Sequence, residues 1–311
     1  MPNALPILGF LLLIFTGLTA QDIDVKNADY KKADSAAINF PKKKYKAITE
    51  ITYPLTEGLN TEHEKFRAIF RWITENIEYN KSAGSTTEGD KIIRKNKAVC
   101  QGFSNLLKEM CETVHIPCEV VVGYTKTEAK DINKKLKKTD HAWNMVQLYG
   151  KSYLVDVTWA TSKYNVVARK FLKEFDEHYF LCPPEKFILD HFPQNKVYQL
   201  LDKPIKARQF IRTPLYYPDY FHINIQSIVP NTGKFTHHLS KPLVFTVQGS
   251  GVLKSASILI NAEKYTLPLS LKKNEKENEY SFEYLFEKAA DYNITIYING
   301  NCIAEYLIKV K

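Results

Sequence analysis

The sequence predicts an α+β protein: a core with an antiparallel sheet, followed by an all-β, sandwich-like C-terminal domain. Two stretches with apolar residues at helical spacing precede three strand-like stretches, which predicts the first part. After about residue 215 the helical spacing disappears and short alternating runs follow, as is typical of a β-sandwich. The 311 residues, 44% of them hydrophobic, suffice for two such domains and argue against wholesale disorder.

Residues 1–20 are expected to form a secretory signal peptide. An apolar run covers residues 8–15, and small residues follow it up to Ala20, before the first charge at Asp22. The run is short for a membrane-spanning helix and has no basic flank after it, although a retained anchor is the alternative. The expected location is therefore secreted, periplasmic or at the cell surface. Residues 21–44 are expected to be an extended lead-in with short structure.

The first domain is expected to span residues 45–215 and to begin with helices. Apolar residues recur every three or four positions between 62 and 77, which predicts one helix. A polar, glycine-containing loop follows to residue 97. A second helix is predicted immediately after Cys100, and it ends before Pro117.

Three strands are predicted after the second helix. The stretch 118–124 is β-branched and apolar, and a lysine-rich loop follows it. The stretches 143–149 and 153–159 flank a tight turn at Gly150-Lys151, which predicts a hairpin. The order of helices and strands favours an antiparallel sheet.

The second domain is expected to span residues 216–311 and to be an immunoglobulin-like sandwich. Prolines at 204, 214 and 218 mark the change of texture between the two domains. Six short alternating runs, separated by Asn, Gly, Ser and Lys, are the predicted strands. They cover residues 223–229, 242–247, 257–260, 280–286, 293–298 and 304–310.

Cys100 is the candidate nucleophile, because a thiol at a helix start faces unpaired backbone N–H groups and the positive end of the helix dipole. Both favour the thiolate, and the same N–H groups can donate to a developing oxyanion. Gly102 permits the close approach of a substrate or of neighbouring backbone. The alternative for Cys100 is a buried, inert cysteine.

His141 and Asp156 are expected to face each other on the predicted hairpin. Asp156 lies in an otherwise apolar strand, and a carboxylate there calls for a partner. Strand parity puts both residues on one face but offset, so that a twist or a bulge has to close the gap. A carboxylate beside an imidazole fixes the tautomer of the ring and stabilises its protonated form. The alternatives are a structural cap or ion pair for Asp156 and an idle loop-end histidine for His141.

These residues lie in segments that resemble the motifs of the transglutaminase-like superfamily. The segments are Val99-Cys100-Gln101-Gly102-Phe103-Ser104, His141-Ala142-Trp143-Asn144 and Asp156-Val157-Thr158-Trp159. Parts of the stretch 179–201 resemble its kyphoscoliosis-peptidase-like branch, and the resemblance covers roughly residues 45–205. It implies a papain-like core in which Cys100 is the nucleophile, His141 the acid/base and Asp156 the residue that orients it.

The resemblance implies a thiol enzyme that transfers acyl groups from protein or peptide substrates. No calcium-site carboxylate cluster like that of animal transglutaminases is apparent, and this favours a peptidase or amidase over a cross-linking enzyme. No pair of CxxC motifs resembles the zinc site of peptide N-glycanases, which argues against that activity. After residues 156–159 the branch usually continues with glycines, where this chain has Ala160-Thr161-Ser162. The alternative is a non-catalytic module that binds protein or glycan.

Four further residues are expected at the rim of the site: Gln101, Gly102, Trp143 and Trp159. Core packing is the alternative for at least one of the two tryptophans. No cofactor is expected. No metal is expected either, because neither His237-His238 nor Asp190-His191 has a convincing ligand set.

The net charge of +9 is concentrated in lysine clusters at 42–44, 134–138 and 272–273. Solvated loops are the first interpretation, and attraction to an acidic surface or polymer is the second. Aromatic and basic residues are not interleaved, which argues against nucleic-acid binding. The five cysteines permit two disulfides and one thiol or five thiols, and the pairing of the four besides Cys100 stays open: Cys111, Cys118, Cys182 and Cys302.

Overall fold

A computed structural model describes residues 24–84, 86–165, 170–274 and 279–311. The predicted signal peptide therefore lies outside the described residues. Within those ranges, no helix is both long enough and apolar enough to cross a membrane.

The α-helices of the described residues lie between residues 31 and 222, ahead of the strand-rich C-terminal region, in agreement with the α+β prediction. They are α1 (Lys31–Ile38), α2 (Thr49–Thr56), α3 (Glu62–Asn76), α4 (Gly89–Lys95), α5 (Cys100–Thr113), α6 (Pro184–Phe187), α7 (Ala207–Arg212) and α8 (Pro218–His222). The strands that accompany them are β1 (Glu78–Tyr79), β2 (Lys97–Ala98), β3 (Cys118–Thr125), β4 (His141–Leu148), β5 (Lys151–Val155), β6 (Lys163–Asn165), β7 (Lys170–Leu172), β8 (His191–Pro193) and β9 (Leu215–Tyr216).

The central sheet is antiparallel and has the strand order β5-β4-β3-β8. The hairpin between β4 and β5 turns through Tyr149 and Gly150, whose φ angles of 52° and 76° suit a two-residue turn of the primed type. The turn is therefore one residue earlier than predicted. Strand β8 has no counterpart among the predicted strands, and it pairs with the end of β3.

Helix α5 packs against β3 and β4 of this sheet, and α3 packs against α5. Helix α3 begins with a capping box between Thr61 and Glu64, which satisfies N–H groups of its first turn. The stripe of α5 that was predicted to be apolar is buried from Phe103 to Cys111. This packing places the N-terminus of α5 near the beginning of β4.

The segment predicted as a lead-in contributes to the same core. It contains α1, whose Ala33 and Ala37 are buried in the cluster that also holds α3. Arg67 of α3 is almost fully buried and donates to the carboxylates of Asp34 and Glu177 at 2.6 Å each. This guanidinium therefore ties α1, α3 and the turn that contains Glu177 into one unit.

The C-terminal region consists of strands in two sheets that share a second buried cluster. Phe245 stacks on Phe282 within one sheet and meets Tyr306 of the other sheet, with ring centroids of Phe245 and Tyr306 5.3 Å apart. Its strands are β10 (Ile225–Val229), β11 (Lys234–His237), β12 (Leu243–Gly249), β13 (Ala256–Ile260), β14 (Leu267–Leu269), β15 (Lys272–Asn274), β16 (Glu279–Tyr284), β17 (Asp291–Ile298) and β18 (Asn301–Val310). Strands β11, β14 and β15 were not predicted, because they are three or four residues long and mostly polar or half-exposed.

Candidate active site

Cys100 is the first residue of α5, one position further into the helix than the sequence predicted. The preceding residue, Val99, offers no side-chain cap, so the N–H groups of the first turn are left to other acceptors. A Cβ added at Gly102 would lie 2.9 Å from the carbonyl oxygen of Thr86. Gly102 therefore serves the approach of neighbouring backbone, which packs the segment before α5 against its first turn.

His141 and Asp156 meet directly, with Nε2–H of His141 donating to Oδ2 of Asp156 at 2.6 Å. Strand β5 ends at Val155, and the N–H of Asp156 donates to the carbonyl of Tyr179 instead of continuing the hairpin ladder. The carboxylate then accepts from the backbone N–H groups of Thr158 and Trp159 at 2.8 and 3.0 Å. The predicted offset between His141 and Asp156 along the hairpin is therefore closed by the tight turn after β5 and not by a bulge in the strand.

The third contact joins Cys100 to His141. The imidazole of His141 and the backbone N–H of Ala142 lie close enough to the thiol to lower its pKa. Burial raises the pKa of Cys100, but the charge and hydrogen bond of His141 outweigh it and hold this pKa below its usual value. Because Nε2 of His141 is taken by Asp156, Nδ1 is the ring nitrogen left for the thiol.

The protonation states of the two buried partners are coupled. Burial alone lowers the pKa of His141, but the carboxylate of Asp156 and the thiolate of Cys100 raise it to about 10. Burial raises the pKa of Asp156, whereas its imidazole partners hold it well below its usual range. The arrangement therefore favours a thiolate–imidazolium pair backed by a carboxylate.

A second histidine contacts the same carboxylate, and the sequence interpretation did not anticipate it. His191 of β8 donates from Nε2 to Oδ2 of Asp156 at 3.0 Å and from Nδ1 to Asp190 at 2.5 Å. The hydroxyl of Tyr179 donates to the other oxygen of Asp190 at 3.1 Å. The dipeptide Asp190-His191 was weighed only as a metal ligand set, and its position in a short, late strand gave no local signal for this contact.

The two tryptophans differ in their placement. Trp159 is half-buried and lies against His141, with ring centroids 5.3 Å apart. Trp143 was expected at the rim but is fully buried, so that expectation is wrong. It packs edge-on against both Phe187 and His191, because β4 is buried on both of its faces.

Two polar side chains lie near the entrance. Gln101 donates its amide N–H to Asn105, one turn further along α5, at 2.9 Å. Tyr79 of β1 is partly exposed, and both its burial and the thiolate of Cys100 raise the pKa of its phenol. The pairing of Tyr79 with Ala98 brings β1 alongside the chain that enters α5. Tyr79 was not among the residues that the sequence singled out.

The side chains of His141, Asp156 and His191 have the composition of a metal site, with one nitrogen or oxygen atom of each within 4.8 Å of the others. Both imidazoles, however, point their Nε2 atoms at one oxygen of Asp156 at hydrogen-bonding distances. The geometry is that of a proton-bridged cluster. The expectation that no metal is needed stays a prediction, which activity in a chelator tests.

The remaining cysteines differ from Cys100. Among the described residues none forms a disulfide, and all except the half-buried Cys100 are fully buried. Burial raises the pKa of Cys111 and Cys182 well above the usual value for a thiol and that of Cys302 in the same direction. Cys100 is thus distinguished from these three thiols by both access and the direction of its pKa shift.

Comparison with known proteins agrees with this geometry. A family model described as the transglutaminase-like superfamily matches residues 49–159. The kyphoscoliosis peptidase of Homo sapiens is 30% identical over 280 residues, which are 84% of this chain and 40% of that protein. The mouse kyphoscoliosis peptidase is 29% identical over 298 residues, 90% of this chain and 43% of that protein.

More distant similarity extends to cytokinesis protein 3 of Schizosaccharomyces pombe, which is 26% identical over 183 residues, 55% of this chain and 20% of that protein. The chain spans about two fifths of the length of the two kyphoscoliosis peptidases. The family match includes Cys100, His141 and Asp156 in one continuous segment. Residues 49–159 therefore match the transglutaminase-like superfamily, in a chain similar to the kyphoscoliosis peptidases of human and mouse.

Proposed function

We propose that this protein is a cysteine peptidase or amidase that works through an acyl-enzyme on Cys100. The observation that carries the proposal is the buried sequence of contacts from thiol to imidazole to carboxylate, at the start of α5. A carboxylate held by two backbone N–H groups and a helix-terminal thiol are what nucleophilic catalysis by cysteine requires. The proposal assigns His141 the acid/base role and Asp156 the orienting role.

The proposed reaction has two halves. The Cys100 thiolate attacks the amide carbonyl, and the oxyanion that forms accepts hydrogen bonds from N–H groups in the first turn of α5. The imidazolium of His141 then gives its Nδ1 proton to the leaving amine as the C–N bond breaks. Water next attacks the thioester, with His141 taking a proton from it, and the acid is released with the thiolate regenerated.

The proposed substrates are proteins or peptides, and the proposed location is outside the cytoplasm, from the character of residues 1–20. A lysine amine in place of water in the second half would make the enzyme a cross-linking transglutaminase. An acidic surface or polymer is a further proposed partner of the lysine-rich segments. Lys134 and Lys272 already pair with Asp131 and Glu283, which reduces the charge that those segments offer.

The alternative is a non-catalytic module that uses the same fold to bind protein or glycan. It is favoured by one finding, namely that a relative of this core is named as a cytokinesis protein and not as a peptidase. The residues of the candidate site argue for the enzyme, since a binding scaffold has no need of a thiolate–imidazolium pair.

The test combines labelling with turnover. Iodoacetamide at neutral pH is expected to label Cys100 first, as read by peptide mapping, while the buried cysteines of the same molecule serve as internal controls. Cleavage of a denatured protein substrate, and incorporation of a fluorescent amine into it, then separate hydrolysis from cross-linking. The proposal fails if Cys100 is not labelled ahead of the others and Cys100→Ala leaves both activities unchanged.

A further inference from the structure

The buried histidine His191 lies behind the candidate catalytic residues and is not used by the proposed reaction. Its ring is fully buried, and each of its two nitrogens lies within hydrogen-bonding distance of a carboxylate oxygen. Nε2 is 3.0 Å from Asp156 and Nδ1 is 2.5 Å from Asp190. A neutral imidazole has one N–H and can donate to only one of them, while an ionised carboxylate can only accept. Two carboxylate partners are therefore satisfied together only by an imidazolium.

The surroundings of His191 fix its ring as well as its charge. Phe187 stacks on it with centroids 4.2 Å apart, and Trp159 lies on it at 4.4 Å. Trp143 meets it edge-on at 5.1 Å. The ring cannot rotate away from Asp156 without displacing these aromatic side chains.

We propose that His191 is a positioning residue that stays positively charged and holds Asp156 between two imidazolium rings. From the thiolate inwards the charges then alternate: Cys100 negative, His141 positive, Asp156 negative, His191 positive and Asp190 negative. An alternating row lowers the cost of burying three anions in one place. It also weakens the hold of Asp156 on the proton of His141, since His191 draws on the same oxygen atom.

The titratable groups that face His191 set the direction of the effect. They are Asp156 after β5, Asp190 before β8, His141 on β4, and Tyr179 with His178 in the turn after β7. Burial lowers the pKa of His191, but the two carboxylates outweigh it and raise this pKa. The rings of His141 and His191 are 5.5 Å apart. Removing a positive charge at that distance raises the pKa of His141 by about two pH units at most.

The inference deepens the proposed function, but its test does not need turnover. Nuclear magnetic resonance of isotope-labelled imidazoles is expected to show protons on both nitrogens of His191 at neutral pH. In His191→Gln, which keeps a donor for Asp156 but carries no charge, the pKa of His141 is expected to rise by about one unit. The exposed His238→Gln variant is the matched control and is expected to leave this pKa unchanged.

Two results would overturn the proposal: a neutral tautomer of His191 at neutral pH, or a His141 titration in His191→Gln that superimposes on the wild type. If His191→Gln does not fold, Asp190→Asn replaces it. That variant leaves His191 with one carboxylate and is expected to lower the pKa of His191, and a His191 titration that superimposes on the wild type would overturn the proposal in its place. Absence of amide cleavage in the wild type with these imidazole results intact would instead count against the proposed function alone.

Discussion

Replacing Asp156 by Asn tests the electrostatic coupling of the site most sharply, because it removes a charge and keeps the shape. The carboxylate is the largest contribution that raises the pKa of His141 to about 10, against a burial that lowers it. Without the charge, burial dominates, and the pKa is expected to fall below the ordinary value of about 6.5. The fall of more than about 3 units corresponds to a loss on the order of 5 kcal/mol in the stability of the imidazolium.

The consequence appears at Cys100. At neutral pH the imidazole of Asp156→Asn is neutral, so the thiol loses the positive partner that lowers its pKa. A thiol with an ordinary pKa of about 8.5 is roughly 1% ionised at pH 6.5. The paired thiol, whose pKa His141 lowers, is expected to have a larger ionised fraction. Alkylation of Cys100 by iodoacetamide at that pH is therefore expected to be slower in Asp156→Asn than in the wild type.

The assay is the rate of Cys100 alkylation against pH, followed by mass spectrometry for wild type, Asp156→Asn and a control. Asp202→Asn is the matched control, because it makes the same chemical change at an exposed loop position. A profile of Asp156→Asn that matches the wild type across the acid range would refute the coupling between carboxylate, imidazole and thiol.

Three further predictions concern stability and packing. The free energy of unfolding is expected to fall as pH rises from about 6.5 through 10. The reason is that His141 is protonated up to about pH 10 in the folded state but only up to about pH 6.5 in the unfolded chain. Urea titrations at a series of pH values check this, and a free energy that does not change with pH contradicts it. Arg67→Met is expected to cost about 1–3 kcal/mol in the same assay, because it removes the buried donor that joins two partly exposed carboxylates. The exposed Arg208→Met is the control. Gly123→Ala is expected to lower the free energy of unfolding by about 1–3 kcal/mol and to slow Cys100 alkylation. The added methyl group would overlap Trp143 and the backbone of β8. An unchanged melting temperature contradicts this prediction.

Local patterns were sufficient for the elements that surround Cys100. Helix α5 and the hairpin of β4 and β5 are short-range structures that apolar spacing and turn residues predict. Helix α5 begins within a residue of the prediction. Both strands begin two residues earlier than predicted, and β5 ends at Val155, so Asp156 lies just after the strand in which it was predicted. Strand parity placed His141 and Asp156 on one face. The turn that brings them to 2.6 Å was not predictable, because it depends on an N–H bond from Asp156 to Tyr179.

Long-range packing explains what the sequence did not indicate. His191 reaches Asp156 through the pairing of β8 with β3, two strands separated by more than sixty residues of chain. Trp143 was expected at the rim with core packing as the alternative, and it is buried because β4 is covered almost throughout its length. Alanines of α1 gave no strong apolar periodicity, and their burial follows from docking on α3.

The central claim is that Cys100 is held as a thiolate by an imidazolium. The most direct measurement is the ultraviolet absorbance of the thiolate, titrated with pH in the wild type and in Cys100→Ser, with the difference assigned to Cys100. The account predicts that this absorbance persists to pH values well below 8.5 in the wild type. In Asp156→Asn the absorbance is expected to disappear at a higher pH than in the wild type. A difference titration with a pKa near 8.5 in the wild type would contradict the account and favour a non-catalytic scaffold.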